Sequence, residues 1–554
     1  MAKWRLVSET IITILGALKN NTAITTLVIE DIRPDVMERI LTQASTSVEG
    51  GNRDNDLVDA LSALLVENTS IERLSLEDVV RDDTKAGILA RALSKRQNHL
   101  SSLDLGWLQT QITSVGIGRL FESVGGSCAF ELGLPTHLWQ DGIEESVRDP
   151  RLEYVLKENS AHISSLEIGG DDLDEACIEA LRSNDKIKSL SFNLMLFEND
   201  KSWEALACGL SSNGSLIEIS FEDVLAISGN DLRFFVDELL RNKNRSMESL
   251  VFRNCQVCDI DGAQALSSLL IGHKALRHIS IENDAFDDEG ATTLARAIGE
   301  NEISLESFRY VEHDEQYGFN SKRGVSSTSI AVLLVALLQS KVGIRSIYMN
   351  ARSVDPDEGG TDLDLESIDA IANALKSNRT IEDFSYYGSD REGNMAVAVA
   401  NALFVNRSLK SISAYPGLQG SASDNIVEQE MFLERKIYLP LEAAFKVNHF
   451  VTDFGLWHDE HSEWGKKVSQ LLSWNAKGEL YATIMKGYQF PVHFTKDLPD
   501  SSTPEAIAQV DKKAQLNGIF SFIQRKQDAV FAGLGDSSET DKKVSGKRKS
   551  AGYM

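Results

Sequence analysis

The chain has 554 residues, 42% of them hydrophobic, and its 56 basic and 83 acidic side chains leave a formal charge of −27. That apolar content excludes a disordered chain. So acidic a body repels phosphate backbones, which excludes nucleic acid as its partner and suits a basic protein partner or simple solubility.

The first 21 residues, MAKWRLVSETIITILGALKNN, lack the charged start, long apolar core and cleavage site of a secretory leader. Glu9 and Thr13 interrupt the apolar run, so residues 1–20 read as an amphipathic capping helix. From there one phrase recurs: an apolar residue, two variable ones, an apolar, a variable, an apolar. It starts at Ile24, Ile71, Leu100, Ile163, Ile187, Leu216, Met247, Leu276, Leu305, Ile344, Ile381 and Leu409, with weaker copies at Ala129 and Val451, fourteen in all. The best-kept spacings are about 29 residues, a repeat-array period that sets aside any count of globular domains from length.

The alternation L-x-L predicts a strand with one buried face. The segment after each strand has the helical period. In DIDGAQALSSLLIGHKAL, Ala263, Leu266, Leu269 and Leu270 share a face; in DDEGATTLARAIGENEISL, Ala291, Leu294, Ala295 and Ile298 do. Asp259, Asp261, Asp287 and Asp288 stand where an N-cap belongs. An Asn often precedes the phrase by three residues (Asn21, Asn68, Asn184, Asn213, Asn244, Asn378, Asn406, Asn448), which suits a left-handed helix end. That position also accounts for the Asn-x-Ser/Thr sequons at Asn68, Asn213, Asn244, Asn378 and Asn406. The predicted fold is α/β: a right-handed β-α solenoid, a horseshoe with parallel strands inside, helices outside and about fourteen degenerate repeats over residues 21–456.

Five cysteines (Cys128, Cys177, Cys208, Cys255 and Cys258) do not make a disulfide framework and point to a reducing compartment. Cys255 and Cys258 form a lone CxxC that no second pair completes into a metal site, so a structural role just after a strand is expected. Residues 312–327 and 351–365 are polar, Gly-containing insertions, and 416–440 is a long connection with a predicted helix at Asp424–Lys436. Residues 457–494 read as a C-terminal cap with an amphipathic helix at Glu463–Trp474. His458 and His461 in HDEH have weak metal-ligand character, and a polar cap is the plainer reading. Residues 495–554 have a largely disordered composition, with a short helix predicted at 519–531. Lys542–Lys543 and Lys547–Arg548–Lys549 match a nuclear-localisation signal as well as an ordinary basic tail. Ile330–Leu338, the longest apolar run, is too short to span a bilayer, so a soluble, cytoplasmic protein is expected.

The phrase DxxGAxxLAxAL followed by NxSLxxLxL resembles the ribonuclease-inhibitor-like leucine-rich-repeat family over about residues 20–456, with Phe, Ile, Tyr and Met often replacing Leu. The resemblance implies the solenoid and says little of function, because ribonuclease inhibitors, nucleotide-sensing immune receptors, Ran GTPase-activating proteins and tropomodulins share it. The passage VTDFGLWHDEHSEWGKKVSQLLSWN is similar to the last repeat of tropomodulins.

No P-loop, GxSxG, HExxH or strand-following GxGxxG is present, so an enzyme and a cofactor are not expected. The non-core strand positions are small or acidic in the middle repeats: Ser75, Glu77, Glu167, Ser191, Ser220, Glu222, Ser280 and Glu282. They change to Arg309, Tyr348, Asn350, Tyr387, Tyr415 and Trp457 toward the C-terminus, residue types that dominate binding hot spots. The expectation is a scaffold that binds a protein on its concave face. A regulator of a small GTPase and an actin-filament end-binding module are the alternatives that the resemblance leaves open.

Overall fold

A computed structural model gives the structure. It describes most of residues 14–454, with larger omissions at 30–52, 313–324, 352–362 and 417–438, and beyond them Ser469, Leu472 and Ser473. The chain divides into two units, residues 1–440 with 454–457, and residues 441–453 with 458–554.

In the first unit every phrase from Ile24 to Leu409 contains a strand. These are β1 (Thr26–Ile29), β2 (Arg73–Leu76), β3 (Ser102–Trp107), β4 (Ala129–Pro135), β7 (Ile163–Gly169), β8 (Ser189–Asn193) and β9 (Glu218–Glu222). They continue as β10 (Ser249–Arg253), β11 (His278–Glu282), β12 (Ser307–Val311), β13 (Ser346–Ala351), β14 (Asp383–Gly388) and β15 (Ser411–Pro416). They pair in chain order as one open parallel sheet, with β5 (His137–Leu138) and β6 (Val147–Arg148) as a separate antiparallel pair. The last phrase holds β16 (Asp453–Phe454), at the boundary of the units.

A helix follows nearly every strand. Those used below are α1 (Arg53–Glu67), α2 (Asp83–Lys95), α3 (Ser114–Val124), α4 (Pro150–Lys157), α5 (Glu175–Ser183), α6 (Asp200–Ser212), α7 (Gly229–Asn242), α8 (Ile260–Gly272), α9 (Asp288–Glu300), α10 (Ser327–Leu338), α11 (Leu365–Ser377) and α12 (Asn394–Leu403). Each packs on the next, so this is a leucine-rich-repeat-like solenoid in which a unit buries its apolar face only against its neighbours. The predicted helix faces are the buried ones: Ala263, Leu266, Leu269 and Leu270 in α8, and Ala291, Leu294, Ala295 and Ile298 in α9. Asp259 and Asp287 cap these helices, accepting from the Gly262 and Gly290 amides at 2.8 and 2.7 Å. Asp261 and Asp288 fall two residues and one residue after these caps, in the first turn, where a carboxylate favours the helix dipole.

Parallel in-register strands stack identical side chains one strand spacing apart. Phe192, Phe221 and Phe252 use this on the buried face, stacked with ring centroids 5.4 and 5.6 Å apart and ring planes nearly parallel. The degeneracy of the repeat, Phe in place of Leu, is therefore itself repeated and packs as a column.

Among the described residues, the asparagines ahead of the phrase are not left-handed. Asn184 and Asn378 have φ of −70° and −64°, extended backbone. Their position is fixed by their side chains. Asn213 accepts from the Ser215 and Leu216 amides at 2.8 and 3.0 Å and donates to the Leu181 and Asn184 carbonyls at 2.6 and 2.8 Å. Asn406 repeats the pattern with Ser408, Leu409, Leu375 and Asn378. Each buried amide thus turns its own chain into the strand and ties it to the preceding repeat. The left-handed residues lie at the other strand end: Asp223, Asn254 and Asn283 have φ of 55°, 53° and 56° in three consecutive repeats. Asp and Asn tolerate that region because their short side chains bond locally. Asn254 donates to the Asp223 carboxylate.

A buried ion pair has no counterpart in the repeat pattern. Asp149 and Arg151, 0% and 1% exposed, bond through two guanidinium nitrogens, and Arg151 Nη1 donates to the Ile112 carbonyl at 3.2 Å. The pair braces the start of α4 against the loop before α3, where the chain departs from its 29-residue spacing. Pro150 occupies the first helical position, which needs no amide donor.

In the second unit, Leu441, Ala444 and Phe445 are buried on the helix Leu439–Val447, and Asn448 accepts from the Phe450 and Val451 amides at 2.9 and 3.3 Å. Residues 14–18 of the expected N-terminal helix are helical. The expected helices at Asp424–Lys436 and 519–531, His458 and His461, and nearly all of 457–494 and the tail lie outside the described residues, as do most of the insertions at 312–327 and 351–365.

Candidate protein-binding face

The strands alternate buried and half-buried residues, iBiBi across β8 to β10 and β12. The buried set packs under the helices; the other set makes the open face of the sheet. Register fixes which open-face residues are neighbours. One row runs Ser191, Ser220, Val251, Ser280, Arg309, Tyr348, Ser385, Ser413. The next runs Asn193, Glu222, Arg253, Glu282, Val311, Asn350, Tyr387, Tyr415.

The sequence-predicted residues therefore fall on two rows. Arg309 and Tyr348 share one; Asn350, Tyr387 and Tyr415 share the other. The structure brings three of them into contact. The Arg309 guanidinium carbon lies 4.0 Å from the Tyr348 ring centroid, a cation–π contact, and the Tyr348 and Tyr387 centroids are 5.4 Å apart with a 37° tilt. Asn350 sits two residues from Tyr348 and opposite Tyr387, and its Oδ1 is buried with no hydrogen-bond donor among the described residues. Tyr415 pairs in register with Tyr387. Trp457 and Glu77 lie outside the described residues.

Across the middle strands the open face is not simply acidic. Arg253 reaches Glu222 through Nη1 at 2.7 Å and Glu282 through Nε at 3.3 Å; Arg309 Nε reaches the other Glu282 oxygen at 2.9 Å. Glu222, Arg253, Glu282 and Arg309 thus form one chain of alternating charge that ends against Tyr348. Burial would raise the Glu282 carboxyl, but the Ser280 hydroxyl and Arg309 hold it below its ordinary value. Arg253, despite burial, is raised by its two glutamates. Arg253 was missed as a member of this face, although it follows its phrase at the same place as Glu222 and Glu282.

A second alternation was also overlooked. The second residue of successive phrases reads Glu248, Arg277, Glu306, Arg345, Glu382, Lys410, joined strand to strand by backbone bonds of 2.7–2.8 Å. Lys410 pairs with Glu382 at 2.6 Å and Arg277 with Glu306 at 3.7 Å.

Polar groups also collect at the C-terminal ends of β10, β11 and β12. Asp284 accepts from the Val257 and Cys258 amides at 2.8 and 3.1 Å. Tyr310 donates to Glu312 at 3.0 Å and accepts from the Phe286 amide at 3.3 Å. Burial pushes Asp284 up to about 6 and Glu312 up to about 7, against hydrogen bonds that pull each down. Cys255 and Cys258 are buried here as free thiols, Cys255 pushed up to about 12 and Cys258 well above its ordinary value by burial, so neither is a ready thiolate. Among the described residues no group of His, Cys, Asp and Glu is arranged to hold a metal ion. Among them, too, no helix is long and apolar enough to cross a membrane.

No protein-family model matches the chain, and no curated protein matches it. Among solved structures it is similar to the crystal structure of the Rad7 and Elc1 complex in yeast, at 14% identity over 72% of this chain and 96% of that chain, with a TM-score of 0.34.

Proposed function

We propose that the protein is an interaction scaffold that holds a protein partner on the open face of strands β12–β15, acting by binding and not by catalysis. The observation that carries this reading is the contact series Arg309–Tyr348–Tyr387, three large side chains from adjacent strands, half-buried and held against one another. Tyr and Arg supply large contact areas, and a side chain already fixed by its neighbours loses little entropy on binding. The sheet beneath is a rigid parallel ladder, so the series keeps its spacing without a partner. The 29-residue spacing and the phrase itself favour a repeat of the ribonuclease-inhibitor-like kind.

The test is affinity purification from the native cell, with mass spectrometry comparing the wild type and Tyr348→Ala/Tyr387→Ala. Both rings lie on the open face, so thermal unfolding should stay close to the wild type while at least one co-purifying protein is lost. An identical set of proteins captured by both forms would overturn the reading.

A further inference from the structure

We propose, resting on the binding reading above, that the segment held at the tyrosine series is an uncharged one that lays a flat apolar side chain, aromatic or proline, against Tyr348 and Tyr387. Charge complementarity leads to this. In the two rows that carry the series, as they run from β8 to β15, the acids are already matched: Glu222 and Glu282 are bonded to Arg253 and Arg309, two acids and two bases in one chain. A basic segment would have to displace an arginine that contacts its glutamate at 2.7–3.3 Å, and an acidic one would have to displace a glutamate. Either exchange replaces an existing pair and gains little.

The cation seat on Tyr348 is taken as well, because the Arg309 guanidinium lies 4.0 Å from the ring centroid. What the patch offers to a visitor is phenol ring surface and small neutral neighbours at Ser385 and Ser413. Ring surface of this kind suits offset or edge-on aromatic contact and the docking of proline-bearing extended segments. The acidic net charge of the whole chain does not describe this patch.

The experiment selects a random displayed-peptide library on the full-length wild-type protein, with counter-selection on Tyr348→Ala/Tyr387→Ala. Enriched peptides are synthesised and their binding measured by fluorescence anisotropy at low and high NaCl. The expected peptides are neutral, rich in proline, aromatic or leucine residues, and weaken less than about threefold between about 50 and 500 mM salt. They bind Tyr348→Phe/Tyr387→Phe, which keeps the rings and serves as the folded control, within about threefold of the wild type. Enrichment of lysine- and arginine-rich peptides whose affinity falls about tenfold or more over that salt range overturns the inference and leaves the binding face standing. If no peptide distinguishes the wild type from the counter-selected variant, the binding face and this inference fall together.

Discussion

The middle and the C-terminal parts of the open face are built on the same strands and differ in what those strands carry. Across β9–β11 the face holds charge, and the charge is spent within the sheet: Arg253 lies between Glu222 and Glu282. Across β12–β14 the charge chain ends on a ring, and the face becomes phenol and amide. The lesson is that a count of acidic residues along a repeat does not measure available charge. In-register strands place residue n of one repeat beside residue n of the next, so alternating signs neutralise each other wherever they share a row.

The comparison holds only if the scaffold beneath both parts is equivalent, and the buried asparagines test that with the largest expected effect. Asn213 and Asn406 make matching hydrogen-bond sets under the two parts of the sheet. Asn213→Ala and Asn406→Ala should each lower stability by about 3 kcal/mol, since each strands several buried backbone groups. Urea unfolding followed by circular dichroism measures both; a large effect at one and none at the other would mean that the two parts are not carried by the same framework.

The next effect comes from the acids below the strand ends, in the region where the two parts meet. Glu312 is pushed up to about 7 in the folded protein from an ordinary 4.5. A folded value above the unfolded one means that the folded state holds more protons, so this stabilisation is full below the unfolded pKa and is lost as pH rises through the folded one. At 1.36 kcal/mol per pKa unit, wild-type stability should fall by at most about 3 kcal/mol from this group between about pH 4.5 and 7.5. Asp284, pushed up to about 6, adds a slope in the same direction that ends earlier. Unfolding curves of Glu312→Gln across that range should be flatter than the wild type's and keep the Asp284 part. An unchanged slope would remove Glu312 from the account.

The smallest effect is that of the charge chain on stability. The side chains of Arg253 and Glu222 are 36% and 27% exposed, so solvent screens their pair, and Arg253→Gln should cost no more than about 1 kcal/mol. The difference from the wild type should shrink in about 1 M NaCl, where the Debye length is roughly 3 Å. A larger, salt-insensitive loss would make the chain a structural element and blur its contrast with the tyrosine series.

Much of this architecture was legible from the amino-acid order. Alternation within each phrase assigned Tyr386 to the core and Tyr387 to the open face, and the structure leaves Tyr386 2% exposed and Tyr387 half-buried. The helical period picked the buried residues of α8 and α9, because a face repeating every three to four residues must bury somewhere. Asp259 and Asp287 were recognisable as caps for the same local reason. The asparagines were recognised by position and misread in conformation. Their period is local, but their reason is a pair of carbonyls in the previous repeat, roughly thirty residues away in sequence.

What the sequence by itself determined is the repeat: which residues form strands, which face each side chain takes, and where helices begin, since these depend on neighbours a few residues apart. Only the tertiary structure decided which side chains meet. The register of β9 to β12 joined Glu222, Arg253, Glu282 and Arg309, from four different repeats, into one neutral chain. The register of β12, β13 and β14 set Arg309 on Tyr348 and Tyr348 beside Tyr387, although they belong to three different repeats. Such contacts arise between residues about thirty positions apart or more, where no local period reaches, and they are fixed by the backbone hydrogen bonds of a parallel sheet one strand at a time.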